Sequence, residues 1–341
     1  MKICILYPFK RGAWGGANQF LKALMEEMKD KGVYESDPYK ADVVIFNGNP
    51  LSIVSSIGAL YKIKKRNAST AFIMRIDGPI FLIRNQDKAL DRILYSLSEH
   101  VADGIVFQSK WSMERNILQG MNIGKPWRVI TNAPNPKLFK PSSSSLGRKV
   151  KVVITSWSDN YNKGFLTYQW LDENLDFSRY RVKLIGNSPI SFKNIVHINP
   201  MNTKKLSEEL RENDIYLTAS EKDPCSNSLI EALHCNLPVV ALNDGGHPEL
   251  VKQGGELFKD KIEIPDLLDK ISDNYSTYQK NISTSSIDYV LDEYCDFSQR
   301  VLSEQLEQTR LKKISLLYVF YVVTYVRLFF LKKRLSRLIY G

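Results

Sequence analysis

The sequence predicts an α/β protein of two doubly wound domains facing each other across a cleft, followed by a hydrophobic, basic C-terminal helix. Three observations lead there. Short apolar, β-branched runs alternate with amphipathic stretches from end to end. The 341 residues exceed one ordinary core, and about 150 residues per domain is the natural expectation. The alternation also stops and restarts around "TNAPNPKLFKPSSSSLGRK", whose three prolines and four consecutive serines mark an exposed domain boundary.

Taken in order, "ICILY" before Pro8 is too short for a signal-peptide core and reads as a first buried strand, Ile3–Tyr7. A helix over Ala17–Lys29 follows, with Phe20, Leu21, Leu24 and Met25 on one face. Strands are then expected at 43–46, 71–76, 104–107 and 128–131, with a helix over Leu82–Leu97. After the link, strands are expected at 151–155, 182–185, 195–198, 215–218 and 239–242. Fully apolar strands separated by helices imply parallel sheets covered on both faces. Ligands of such sheets bind beyond the carboxyl ends of the strands, so functional residues are sought there.

The composition, 43% hydrophobic and 25% charged, is that of a globular protein. The net charge of +10 is unevenly placed: residues 311–341 hold seven Lys or Arg and no acid, leaving 40 basic against 37 acidic residues elsewhere. Basicity confined to an apolar tail argues against a nucleic-acid partner. The four cysteines have no metal-ligand spacing, and Cys225 and Cys235, at opposite ends of one expected helix about 15 Å long, are too far apart to bond. A reduced, cytoplasmic setting is expected.

After the first strand comes "PFKRGAWGGANQF", where Gly12, Gly15 and Gly16 allow close backbone approach at a helix start. The spacing fits neither a dinucleotide fingerprint nor a P-loop, and a plain tight turn explains it equally well. After the third strand, Arg75 and Asp77 lie two apart in "RIDGP", either facing the cleft or bracing the turn as an ion pair. "SWSDNYNKGF" places Lys163 before Gly164 at a helix start, as an anion-site charge or a solvated lysine. In "DPCSNSLIEALHCNLPVVALNDGGHPELV", Ser226 or Asn227 is an N-cap, so the amides of 225–228 stand open at a positive helix end and form a seat for phosphate. Glu231 lies one turn in and leans back toward that end, placed to accept hydrogen bonds from sugar hydroxyls, as does Asp223 from the turn. The bland alternative makes these two acids a cap and a helix-surface residue. No two aspartates lie two apart and the four histidines have no ligand spacing, so no metal site is expected.

Together these residues resemble a family 4 glycosyltransferase of the GT-B fold, with two Rossmann-like domains. The resemblance rests on the glycine-rich loop "GAWGGANQFLKAL", the interdomain "TNAPNPKLFKP", Lys163–Gly164, and the acid pair Asp223 and Glu231 followed by "EALHCNLPVVALNDGGHPELV". It implies an acceptor domain over 1–140, a nucleotide-sugar domain over 147–295, a helix over 296–310 crossing back to the first, and retaining transfer without a metal cofactor. It also implies that Glu231 holds the ribose, the amides near Ser226, Asn227 and Ser228 the diphosphate, and Lys163 the leaving phosphate. Asp223 would meet the transferred sugar. Gly15 and Gly16 would complete the donor side, Asp77 would act from the first domain, and Trp14, Arg75 and Asp77 would border the acceptor. The sequence departs from the family in three places. Asp223 stands where Glu is usual, Ser158 where an Arg is common, and a first-domain histidine has no match.

The tail, "LKKISLLYVFYVVTYVRLFFLKKRLSRLIYG", has 13 uncharged residues from Ile314 to Val326, about 20 Å of helix against a hydrocarbon core of about 30 Å. With Arg327, Arg334 and Arg337 on one face, the expectation is a helix lying on an anionic membrane and contributing little to the fold. A short span, or a helix packed on the body, are the other readings. The functional expectation is transfer of a sugar from a UDP- or GDP-type donor to a lipid-linked or polysaccharide acceptor. It places the protein in surface-polysaccharide (lipopolysaccharide or capsule) assembly at the inner face of the plasma membrane. A nucleotide-sugar epimerase and a non-catalytic sugar-nucleotide-binding protein are the rival readings.

Overall fold

The computed structural model describes residues 1–10, 16–49, 52–141, 146–307 and 313–340, the side chains of the last segment to Ser336. The first domain holds strands β1 (Ile3–Leu6), β2 (Val43–Asn47), β3 (Ala71–Ile76), β4 (Gly104–Phe107) and β5 (Trp127–Val129), all parallel and adjacent in that order. Its helices are α1 (Gly16–Asp30), α2 (Ile53–Arg66), α3 (Ile80–Arg84), α4 (Lys88–His100) and α5 (Lys110–Leu118). The second domain holds β6 (Val150–Ser156), β7 (Tyr180–Gly186), β8 (Val196–Ile198), β9 (Ile215–Thr218), β10 (Val239–Leu242) and β11 (Gly255–Phe258), parallel in the order β11-β10-β9-β6-β7-β8. Its helices are α6 (Phe165–Asn174), α7 (Thr203–Arg211), α8 (Asn227–His234), α9 (His247–Val251), α10 (Ile264–Asp273) and α11 (Tyr275–Asn281). Two helices complete the chain, α12 (Ile287–Leu306) and α13 (Leu316–Tyr340).

Strand residues alternate between two buried faces, which is why the strands read as unbroken apolar runs. In the first domain, Val44, Phe46, Phe72 and Met74 pack under α2 and α4, while Val43, Ile45 and Ile73 pack under α1. In the second, Ile154 and Leu184 face α6 and α10, while Val153 and Tyr216 face α7 and α8.

Four expectations are corrected. The helix expected over Leu82–Leu97 is two, because Asn85 (φ 54°) and Asp87 (φ 71°) adopt left-handed backbone between α3 and α4. β11 was not expected; its short GELF run, only partly buried along most of its length, gave little apolar signal. The crossing helix starts at Ile287, not 296. Val290, Tyr294, Phe297 and Val301 bury it in the first domain's core beside α1.

The tail is the fourth. α13 packs along α2 and buries Val322 and Val326 in the first domain's core. Tyr318 stacks on His100 (ring centroids 4.9 Å apart) and bonds Ser96 at 2.9 Å, and Lys333 pairs with both oxygens of Asp87 at 2.8 Å. The tail is therefore part of the folded body. Its opposite face stays open, with Leu317 82% and Phe320 70% exposed.

Candidate active site

The carboxyl ends of β6 and β9 adjoin at the point where the second sheet's strand order reverses. A cavity of about 290 Å³ opens there. The second domain lines it with residues 155–158, Lys163, Asp223, 225–228 and Glu231, and the first with Gly16, Ala17, Gln19, Asp77 and Gln108. Ser226 is the N-cap of α8, in extended conformation, but its side chain makes no cap bond and meets Ser228 Oγ at 3.2 Å instead. Among the described residues, the first amides of α8 are thus left without a side-chain cap at the helix's positive end.

Lys163 is brought to this point by a tight 3-10 turn, Tyr161–Lys163, closed by Gly164 at φ 92°. A side chain at Gly164 would strike the Ala219 backbone, so the lysine sits against the turn that follows β9. Its ammonium lies 3.0 Å from Asp223 Oδ2 and 3.2 Å from Ser220 Oγ. Burial pushes the Asp223 carboxyl up, but Lys163, His247 and the Cys225 amide more than offset this and hold it below the usual carboxylate range. Behind Asp223, Gly245 (φ 63°) and Gly246 leave no room for side chains. Gly246 N–H donates to the Asp223 carbonyl at 2.8 Å. The Gly-Gly pair is there so that one turn can lie flat against the other.

Glu231 is 7% exposed, and what it exposes faces the cavity. Burial alone raises its carboxyl to about 8. This is a carboxyl kept out of water at a ligand cavity, a placement that costs stability and that sugar hydroxyls would relieve.

On the first-domain wall, Asp77 has 42% of its side chain open to the cleft while the walls of both domains enclose it. Burial raises its carboxyl, Arg75 and Arg84 lower it, and Asp223 across the cleft raises it further. Arg75, expected at the cleft surface, does not line the cavity: it is wholly buried. It donates to Asn47 and Asn132 (2.8 Å each), lies 3.5 Å from Asp77, and rests over the Phe20 ring. The bracing reading of this pair is the one the geometry matches. Gly16 opens α1 against Asn227, where any Cβ would collide with the Asn227 side chain. Gly12, Trp14 and Gly15 lie outside the described residues. Ser158 lines the cavity as a neutral hydroxyl that accepts from Asn160 N–H at 3.1 Å.

Three residues were not singled out from sequence. Asn132, in the interdomain link, donates to Gln108 (3.1 Å) and to Asn227 (3.0 Å), joining the first domain to the start of α8. Gln108 also lines the cavity. His247 is wholly buried near Asp223, with Nδ1 against the Leu242 carbonyl at 2.9 Å; burial lowers its pKa and the Asp223 carboxylate partly opposes that. A lone Asn, Gln or His carries no spacing signal that could have marked it.

Residues 191–285 match the family model for glycosyl transferases group 1, a span that includes Asp223, Glu231 and the Gly245–Gly246 turn. The two facing parallel-sheet units have a GT-B type of fold, and the second of them carries this glycosyl transferases group 1 match. In fold the chain is similar to Anabaena HepE in complex with UDP and glucose: 14% identity, 90% of this chain and 100% of that one, TM-score 0.65. It is similar also to sucrose-phosphate synthase from Thermosynechococcus elongatus: 14% identity, 96% and 99% covered, TM-score 0.62. A third likeness is to the pneumococcal O-GlcNAc transferase GtfA in complex with UDP and GlcNAc: 14% identity, 85% and 61% covered, TM-score 0.53. No curated protein matches the sequence significantly.

Proposed function

We propose that this chain is a retaining, metal-independent family 4 glycosyltransferase that moves a sugar from a UDP- or GDP-type donor to a lipid-linked or polysaccharide acceptor. The observation that carries the reading is the convergence, in one 290 Å³ cavity, of the uncapped α8 amides, Lys163, Asp223 and the buried Glu231. The α8 amides and Lys163 meet the diphosphate, so charge developing on the leaving phosphate is stabilised by groups already in place. Glu231, one turn further in, holds the ribose. Asp223 faces the transferred sugar from the second domain and Asp77 from the first.

The acceptor side of the proposal rests on α13. Its exposed face carries Leu317, Phe320, Leu328, Leu331 and Leu335, with Arg327 and Arg334 along one edge and Lys332 along the other. Among the described residues, no helix is long and apolar enough to cross a membrane. An apolar stripe edged by cations suits the interface of an anionic bilayer, and supports our reading of an enzyme that works at the cytoplasmic face of the plasma membrane in surface-polysaccharide assembly. Incubating the purified protein with a panel of nucleotide-sugars and measuring slow donor hydrolysis tests the reading. Release of nucleoside diphosphate from one donor is expected, and binding without release from any would overturn it.

A further inference from the structure

The second domain reaches into the first through one carboxylate. Glu249, on α9, accepts hydrogen bonds from the backbone amides of Lys110 and Trp111, 2.8 Å each. These are the first two residues of α5, and Ser109, its N-cap, is occupied with the amide of Ser112 at 3.0 Å. The acid therefore fills the positions that a helix start leaves open, at the positive end of the helix. A helix is normally capped by its own flanking residues; here the acid lies 138 residues away and in the other domain. Other bonds across this side of the cleft are single: Asn162 to the Ile83 carbonyl (3.0 Å), Asn132 to Asn227 (3.0 Å), and the exposed Lys222 ammonium to Asn85 at a long 3.4 Å. The pair at Glu249 is charge-assisted, the stronger kind.

Each end of this clasp touches the backbone of a cleft acid. α9 follows the Gly245–Gly246 turn, and Gly246 N–H holds the Asp223 carbonyl. On the other side, the Trp111 ring fills the space where a Cβ on Gly78 would lie, next to Asp77, and Asn116 of α5 donates to the Asp77 carbonyl at 2.9 Å. We propose that Glu249 is a positioning residue, which by clasping the start of α5 sets Asp77 on one wall against Asp223 and the donor sugar on the other. The clasp stands on geometry alone; its part in turnover rests on the glycosyl-transfer reading.

Amide hydrogen exchange on the full chain tests the clasp directly. The Lys110 and Trp111 amides should be protected in the wild type and exchange as open helix ends in Glu249→Ala. Glu249→Gln, which keeps one acceptor oxygen, should fall between and serves if the alanine variant folds poorly. UDP affinity, measured by calorimetry, should be essentially unchanged, because Lys163, Glu231 and the α8 amides belong to the second domain. Hydrolysis of whichever donor the panel identifies should drop by about 10- to 100-fold in kcat, the size of effect that a misplacement of about 1 Å produces. Unprotected Lys110 and Trp111 amides in the wild type would overturn the clasp. Loss of protection with kcat unchanged would overturn the positioning role. A wild type that binds UDP but hydrolyses no donor defeats the transfer reading and the positioning role with it, and leaves exchange to decide the clasp.

Discussion

Lys163 Nζ lies 3.0 Å from Asp223 Oδ2, so the cation assigned to the leaving phosphate and the acid assigned to the sugar are ion-paired with each other. The diphosphate must therefore share Lys163 with Asp223. Asp223→Ala should leave UDP affinity unchanged or slightly raised, since Lys163 is freed, while turnover of the intact donor falls. Asp223→Glu should retain more activity than Asp223→Asn, because only the former keeps the charge that pairs with Lys163. Titration of UDP and donor on each variant, with turnover in parallel, checks this. Weaker UDP binding in Asp223→Ala would assign Asp223 to the phosphate site instead.

Glu231 should behave in the opposite way. Losing its hydrogen bonds to the two ribose hydroxyls removes binding common to donor and product, so Glu231→Ala should weaken UDP by roughly 1–3 kcal/mol, at about 0.5–1.5 kcal/mol per neutral bond, or about 5- to 150-fold. Equal affinity in variant and wild type would return Glu231 to a merely structural role.

The same residue makes stability depend on pH. Burial raises its carboxyl from 4.5 to about 8, so between those values the folded chain holds a proton that the unfolded chain has released. Its contribution to stability therefore declines as pH rises through that window. Glu231→Gln, neutral throughout, should match the wild type near pH 4 and melt several degrees above it near pH 9. Thermal unfolding curves that stay parallel at both pH values would mean that the carboxylate ionises at no cost.

Activity should persist in a chelator. The donor's charge is met by the α8 amides and Lys163 rather than by a cation in the proposed site. Turnover abolished by chelation and restored by manganese or magnesium would refute that assignment.

The two faces of α13 should separate by mutation. Replacing Leu317, Phe320, Leu328 and Leu331 with serine should leave thermal stability unchanged and abolish flotation with phosphatidylglycerol vesicles. Replacing Arg327 and Arg334 with glutamine should reduce binding to those vesicles more than to phosphatidylcholine ones. Ending the chain at Arg310 should lower stability, because Val322 and Val326 each withdraw a buried side chain worth about 1.5–3 kcal/mol. A truncated chain as stable as the whole would show that the tail is a detachable appendage.

Much of this protein was determined locally. The apolar runs that became strands, the polar turn that starts α8, and the eight-residue step that puts Asp223 beside its first turn and Glu231 one turn further in are all set by backbone period and capping chemistry within a short window. So was the second domain's share of the cavity, because its groups hang from strand ends and helix starts that the pattern already marks. Tertiary structure alone decided the rest. Arg75 and Asp77 stand two apart on the same strand end, yet one is buried under Phe20 and Asn132 while the other opens to the cleft. The tail's apolar residues do not say which of them will meet α2 and which will stay exposed. Glu249 sits in a stretch that reads as an ordinary helix start, and nothing near it names α5 as its partner. Local periodicity records which way a side chain leaves the backbone; what it meets there depends on packing between segments far apart in the chain, and only the folded molecule brings those together.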